Sequence, residues 1–394
     1  MMDFIPYGKQ YIDKKDRRAV KEVLKSPFIT QGPKVKEFED KISEYIGAKY
    51  AVAVSNGTAA LHLASLAILN PGDKVLTTPN SFVATSNAIL YVGAKPVFVD
   101  IKDDGNIDLD KCIEILEKDK NIKALYAVHF SGNPVEQEKL SYIKDRFKIA
   151  VLEDCAHSIG AEYKGIKAGS CKYSDCSILS FHPVKHLTTG EGGAVTTNDK
   201  NIYEKLLILR NHGITKDEKQ FLNKEMAYDE KDNLNPWYYE QQFLGYNYRI
   251  TDMQCALGIS QFEKLDTFIK RRRDIALKYD DAFEKEDIVK PLYRYNDNSS
   301  YHLYVVRVDF EKLFITKSEL FYKMREKNIG LQLHYIPINK QPYYRMLGYG
   351  EECTPKMDRY YKEAFSLPMY PPLEREEQEY VINTLKKIVN ENKK

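Results

Sequence analysis

Ile149-Ala150-Val151-Leu152-Glu153-Asp154-Cys155-Ala156-His157-Ser158 is an apolar run that ends in two acids. An apolar stretch without alternation reads as a strand covered on both faces, as in parallel sheets. Comparable runs recur at Tyr50 to Val54, Lys74 to Thr77, Pro96 to Asp100, Ala124 to His129, Cys176 to Ser180 and Gly193 to Thr197. Helical patterns fall between several of them, such as Thr58 to Leu69 and Ser81 to Tyr91. Strands separated by helices predict βαβ units and an α/β fold on a mainly parallel central sheet. Asp154 then stands at the C-terminal end of a strand, the edge where open α/β sheets bind ligands. Its neighbour Glu153 should face the opposite way.

Beyond this region, Thr251 to Glu286 is helical and highly charged, and reads as a long connector. Tyr301 to Val308 reads as a strand and Lys317 to Lys327 as a helix, the content of a smaller α+β domain. The expected division is a large domain over 1–255, with an N-terminal arm, and a connecting helix with a small domain over 256–394. Thr215 to Glu240 is polar and irregular, and such segments are usually functional; a lid or an interface flap is expected there.

With 59 basic and 57 acidic residues the chain has a formal charge of +2. It lacks an arginine-rich stripe, which argues against nucleic acid as a partner. The densest basic cluster, Lys270-Arg271-Arg272-Arg273, reads as a solvated helix face. The start has no basic region followed by an apolar stretch, and no run approaches the ~20 apolar residues of a membrane helix. The six cysteines are scattered without a C-x-x-C pair, as suits reduced thiols and a cytoplasmic location. No cysteine and histidine spacing matches a standard metal site, so no metal is expected.

The chemistry gathers around Ser180-Phe181-His182-Pro183-Val184-Lys185-His186, which leads through Leu187 and two threonines to Gly190-Glu191-Gly192-Gly193. A lysine alone reads as a surface residue. One on a tight connection between two buried strands is desolvated, which lowers its pKa as a nucleophilic amine requires. Asp154 could cap a helix, keep a pyridinium nitrogen protonated, or do both. Ser55-Asn56-Gly57-Thr58 joins a strand to a helix, and amides at a helix start form an anion site, although such a sequence is also an ordinary turn. The Ser180 hydroxyl is a candidate second phosphate ligand. Phe82 could stack on a cofactor ring or pack in the core. His157 could lie near that ring, hydrogen-bond Asp154, or serve structure alone. A lysine, an aspartate and a phosphate turn are the parts that hold pyridoxal phosphate.

These segments together resemble the DegT/DnrJ/StrS family of sugar aminotransferases, within the fold type I pyridoxal-phosphate enzymes. The resemblance also takes in Phe28-Ile29-Thr30-Gln31-Gly32-Pro33, Arg210-Asn211-His212-Gly213, Gly245 to Asp252 and His334-Tyr335-Ile336-Pro337. Within the family it runs to C4 aminotransferases of pseudaminic acid biosynthesis, through His129 to Pro134, His182 to Thr189 and Asn235 to Tyr239. It implies that Lys185 and Asp154 act on pyridoxal phosphate, with pyridoxamine phosphate as an intermediate. The implied amino donor is L-glutamate, and the acceptor a UDP-linked 4-keto-6-deoxy-N-acetylhexosamine. It further implies a homodimer in which Asn247 and Arg249 of the partner subunit reach the cofactor phosphate. Phe28, Ile29, Thr30, Gln31, His334 and Tyr335 would border the sugar. Transfer to C3 or C4 of another keto nucleotide sugar, or a pyridoxamine-phosphate-dependent sugar dehydratase, is an alternative. Dehydratases of the family carry histidine in place of the lysine; Lys185 is present here.

Overall fold

The computed structural model describes residues 3–394. Seven strands form the central sheet: β1 (Tyr50–Val54), β2 (Lys74–Thr77), β3 (Lys95–Phe98), β4 (Ile122–Val128), β5 (Ala150–Asp154), β6 (Cys176–Ser180) and β7 (Gly193–Thr197). Their spatial order is β1-β7-β6-β5-β4-β2-β3. All neighbours are parallel except at β7, which runs antiparallel to both β1 and β6. The cause is the short connection 181–192, which turns the chain straight back without a crossover helix. The sheet is the mainly parallel one expected, and its strands are almost wholly buried.

The helix Gly57–Ile68 follows β1. Asn56 caps it, accepting the Ala59 amide at 2.8 Å. Its run from Ala59 to Ser65 is buried all round, so it lies within the core rather than over it. The helical stretch after Thr251 is two helices, Asp252–Phe262 and Leu265–Phe283, and not one connector. At the break the Lys264 ammonium meets Asp16 at 2.6 Å and Asp13 at 3.1 Å. Ser260 and Gln261 bond the same buried Asp16 carboxylate, at 2.7 and 2.8 Å. The carboxylate thus gathers donors from both sides of the break.

A second, antiparallel sheet consists of β8 (Val289–Pro291), β9 (Tyr304–Val308) and β10 (Ala364–Leu367), with β9 in the middle. The helices Leu265–Phe283, Lys317–Glu326 and Arg375–Glu391 supply apolar faces to its core. The N-terminal arm crosses to this core: Ile5 is buried in it, and the Met369 amide donates to the Tyr7 carbonyl at 3.0 Å. Among the described residues no helix is long and apolar enough to cross a membrane.

The basic cluster departs from expectation. Lys270 is exposed, but Arg272 is fully buried, and Arg271 and Arg273 donate to the carbonyls of Leu373 and Ser299. Three of the four charges satisfy backbone groups instead of facing solvent. Charge density alone cannot reveal that use, because one helix here serves two loops.

Candidate active site

Strand ends bring the central groups together. Asp154 closes β5 and is 4% exposed. The Thr85 hydroxyl donates to its Oδ2 at 2.7 Å, and the Ala156 amide to its Oδ1 at 3.1 Å. Burial raises its pKa, while those two donors and the charge of Lys185 draw it back down. Glu153 faces the other way, as strand alternation requires. There it is buried with His129 at 3.1 Å and takes hydrogen bonds from Ser174 and Gln137.

Lys185 lies on the connection between β6 and β7. The backbone folds on itself, with Phe181 N–H donating to Gly192 O at 2.8 Å and Thr189 N–H to Phe181 O at 3.0 Å. The Lys185 pKa falls to about 8. Burial is the main cause, the Asp154 carboxylate opposes it, and the Arg272 guanidinium adds to it. Nζ lies 3.3 Å from Nε2 of His302, from the loop before β9. The His302 ring packs on His157 with centroids 4.4 Å apart. His157 in turn meets the Tyr335 hydroxyl at 3.0 Å through Nε2. Its bond is therefore to Tyr335 and not to Asp154, where Thr85 already holds the carboxylate. Burial keeps His157 and His302 well below the ordinary imidazole range.

The start of the helix Gly57–Ile68 abuts Ser180. A Cβ on Gly57 would come within 3.1 Å of the Ser180 Cβ and Oγ, and one on Gly193 within 2.6 Å of the Asn56 carbonyl oxygen. Helix-start amides of Gly57 and Thr58 and the Ser180 hydroxyl thus share one small space, with the helix dipole favouring an anion. Phe82 is 59% exposed, which removes core packing as its role, and its ring lies 6.3 Å from that of Tyr335. His334 is buried beside Tyr7 and bonds Ser366 at 2.8 Å.

Other expected site residues lie at the β1 side. Arg249 bridges to Val54 and donates to Asn211 at 2.6 Å. Asn247 bridges to Asn211 and is exposed. Thr30 bridges to Thr251, while Phe28 and Ile29 are exposed, and Gln31 has a φ of 56°. Thr85 and His302 are the groups that sequence reasoning missed. Thr85 falls in the helical pattern Ser81 to Tyr91, but only the fold aims it at Asp154. His302 is the lone histidine in an apolar strand pattern, a signal that does not say which distant residue it meets.

The residues fit pyridoxal phosphate. A buried carboxylate is coupled to a lysine whose pKa is lowered, and a helix start abuts a hydroxyl suited to phosphate, while Nδ1 of both His157 and His302 has no partner. Fold and site together define a fold type I, pyridoxal-phosphate-dependent aminotransferase. The chain belongs to the DegT/DnrJ/EryC1/StrS aminotransferase family, whose model matches residues 10–386. It is 39% identical over 393 residues to the UDP-4-amino-4,6-dideoxy-N-acetyl-beta-L-altrosamine transaminase of Campylobacter jejuni, covering 99% of each. It is similar to Helicobacter pylori PseC, an aminotransferase involved in the biosynthesis of pseudoaminic acid, with a TM-score of 0.89 and 31% identity over 99% of this chain and 100% of that one. The putative sugar aminotransferase Spr1654 of Streptococcus pneumoniae is 28% identical, covering 98% of this chain and 99% of that one. Its PLP and PMP forms give TM-scores of 0.86 and 0.87.

Proposed function

We propose that this aminotransferase moves the amino group of L-glutamate to C4 of UDP-2-acetamido-2,6-dideoxy-β-L-arabino-hex-4-ulose, in pseudaminic acid biosynthesis. Full-length similarity to transaminases named for the corresponding amino sugar carries the reading.

Pyridoxal phosphate, when bound, supplies an aldehyde that carries amines and a ring that takes up carbanion charge. Lys185 anchors it and, once free, moves the proton through Nζ. A lysine with a pKa of about 8 passes readily between amine and ammonium near neutral pH. Asp154 keeps the ring nitrogen protonated, and Thr85 and the Ala156 amide hold that carboxylate in its ionised form. Gly57, Thr58 and Ser180 would bind the phosphate. Phe82 and His157 would flank the ring. Phe28, Ile29, Thr30, Gln31, His334 and Tyr335 border the sugar.

We read residues 1–255 as the cofactor-holding domain and 256–394 as the smaller one. The working unit is a cytoplasmic homodimer, with Asn247 and Arg249 of the partner subunit reaching the phosphate. Leu222, Trp237 and Leu244 support this: they are 81%, 75% and 79% exposed on and beside the 215–239 segment, an apolar surface that suits burial against a second copy. Sedimentation should therefore give a dimer; a monomer at working concentration would refute that part.

The test is a spectrum of the holoenzyme. L-glutamate should abolish the visible band of the lysine-bound cofactor, and the named keto sugar should restore it. Lys185→Ala should bind cofactor and show no turnover. Restoration by a 3-keto sugar alone, or turnover by the lysine variant, would sink the reading.

A further inference from the structure

We propose that His302 is a positioning residue that holds the Lys185 amine in both of its protonation states, and that Arg272 fixes His302 through the backbone. This rests on the reading of Lys185 as the reactive amine.

His302 is buried, and its Nδ1 has no hydrogen-bond partner among the described residues. Nε2 is therefore the one polar outlet of the ring, and it lies 3.3 Å from Lys185 Nζ. An imidazole nitrogen accepts from an ammonium in one tautomer and donates to an amine in the other. A lysine that carries protons must pass between those two forms. A partner able to reverse its role keeps Nζ in one place throughout.

The loop that carries His302 is fastened from two sides. Ser300 N–H donates to the Gly132 carbonyl at 3.0 Å, and Leu303 N–H to Ser131 at 3.2 Å. From the other side Arg272 Nη1 donates to the carbonyls of Tyr301, His302 and Met369, at 3.3, 3.1 and 3.0 Å. No carboxylate pairs with Arg272 among the described residues. A fully buried guanidinium without a counter-ion is costly, and removing a carbonyl clamp would leave those acceptors bare. The remaining titratable groups facing the pair are Asp154, His157, His182, His186 and His334. His186 bonds the Ser300 carbonyl at 2.9 Å and so supports the same loop.

The experiment follows acylation of Lys185 against pH by mass spectrometry, in the full-length chain stripped of cofactor. His302→Phe should move the onset of reactivity to lower pH, because the ammonium loses its acceptor. In the holoenzyme it should lower kcat by about tenfold or more with little change in the donor KM, as misplacement of a reacting atom does. His302→Gln, which can also donate and accept, should restore both. An unshifted acylation profile in His302→Phe would overturn the proposal. Should that variant not fold, 15N-labelled histidine spectra of wild type and Lys185→Met decide. A His302 Nε2 signal that moves supports the contact, and one that stays overturns it. A wild-type enzyme that ignores glutamate would defeat the proposed function while leaving the acylation result standing.

Discussion

Thr85 shows how one hydroxyl bears on the chemistry. It donates to Asp154 and stands 2.8 Å from Ser81, so the carboxylate sits at the end of a short chain of hydroxyls. Thr85→Val keeps the shape and removes the donor, leaving a buried carboxylate oxygen unpaired at a cost of about 1–3 kcal/mol. The Asp154 pKa should rise further, and cofactor affinity should fall about tenfold or more, as an equilibrium titration would record. Unaltered affinity would show that Thr85 does not matter to the carboxylate. The sequence patterning places Asp154 at the end of an apolar strand and Lys185 on a tight connection between two buried strands, and the structure has both there. Arg272 was misread and Thr85 and His302 were missed. Each acts on a group distant in sequence, and local patterning carries no such information.

At the scale of elements, the strands of the central sheet were largely legible. β1, β2, β6 and β7 match their expected bounds, because continuous apolar runs between turn residues leave little choice. The β3 and β4 limits differ by one or two residues, and β5 runs one residue later than the expected Ile149 to Glu153, where pairing with neighbours decides the ends. The antiparallel course of β7 was not anticipated. It matters because Gly193, the first residue of β7, packs against Asn56 and Gly57. A Cβ there would lie 2.6 Å from the Asn56 carbonyl oxygen and 2.8 Å from the Gly57 nitrogen, both backbone atoms that cannot swing aside. Gly193→Ala should therefore displace the helix start and weaken cofactor binding more than it weakens the fold. A titration with pyridoxal phosphate beside a thermal melt would show this, and equal affinity to wild type would refute it.

Across the whole molecule, the neutral histidines set the acid limit. Burial holds His157, His186 and His302 well below the ordinary imidazole value, and His334 down to about 3. An unfolded chain would protonate all four near pH 6.5, whereas the folded one does not. The unfolded state then binds more protons, so stability is complete above about pH 6.5 and falls as the pH drops below it. The melting temperature should decline between about pH 6.5 and 5, before most carboxylates titrate. A flat profile over that window would contradict the buried, neutral state of these rings.

The antiparallel strand β7 has one more consequence, for how the chain assembles. The proposed phosphate cradle draws on Gly57, Thr58 and Ser180, with Gly193 packed against its helix start, and β7 is the strand that lies between β1 and β6. Until β7 inserts, the helix start and Ser180 belong to separate pieces of a nascent chain, and closing so long a loop is slow and entropically unfavourable. A growing polypeptide can therefore complete its parallel strands and still be unable to take up cofactor. On the proposed reading of the cradle, uptake of pyridoxal phosphate waits on the insertion of β7.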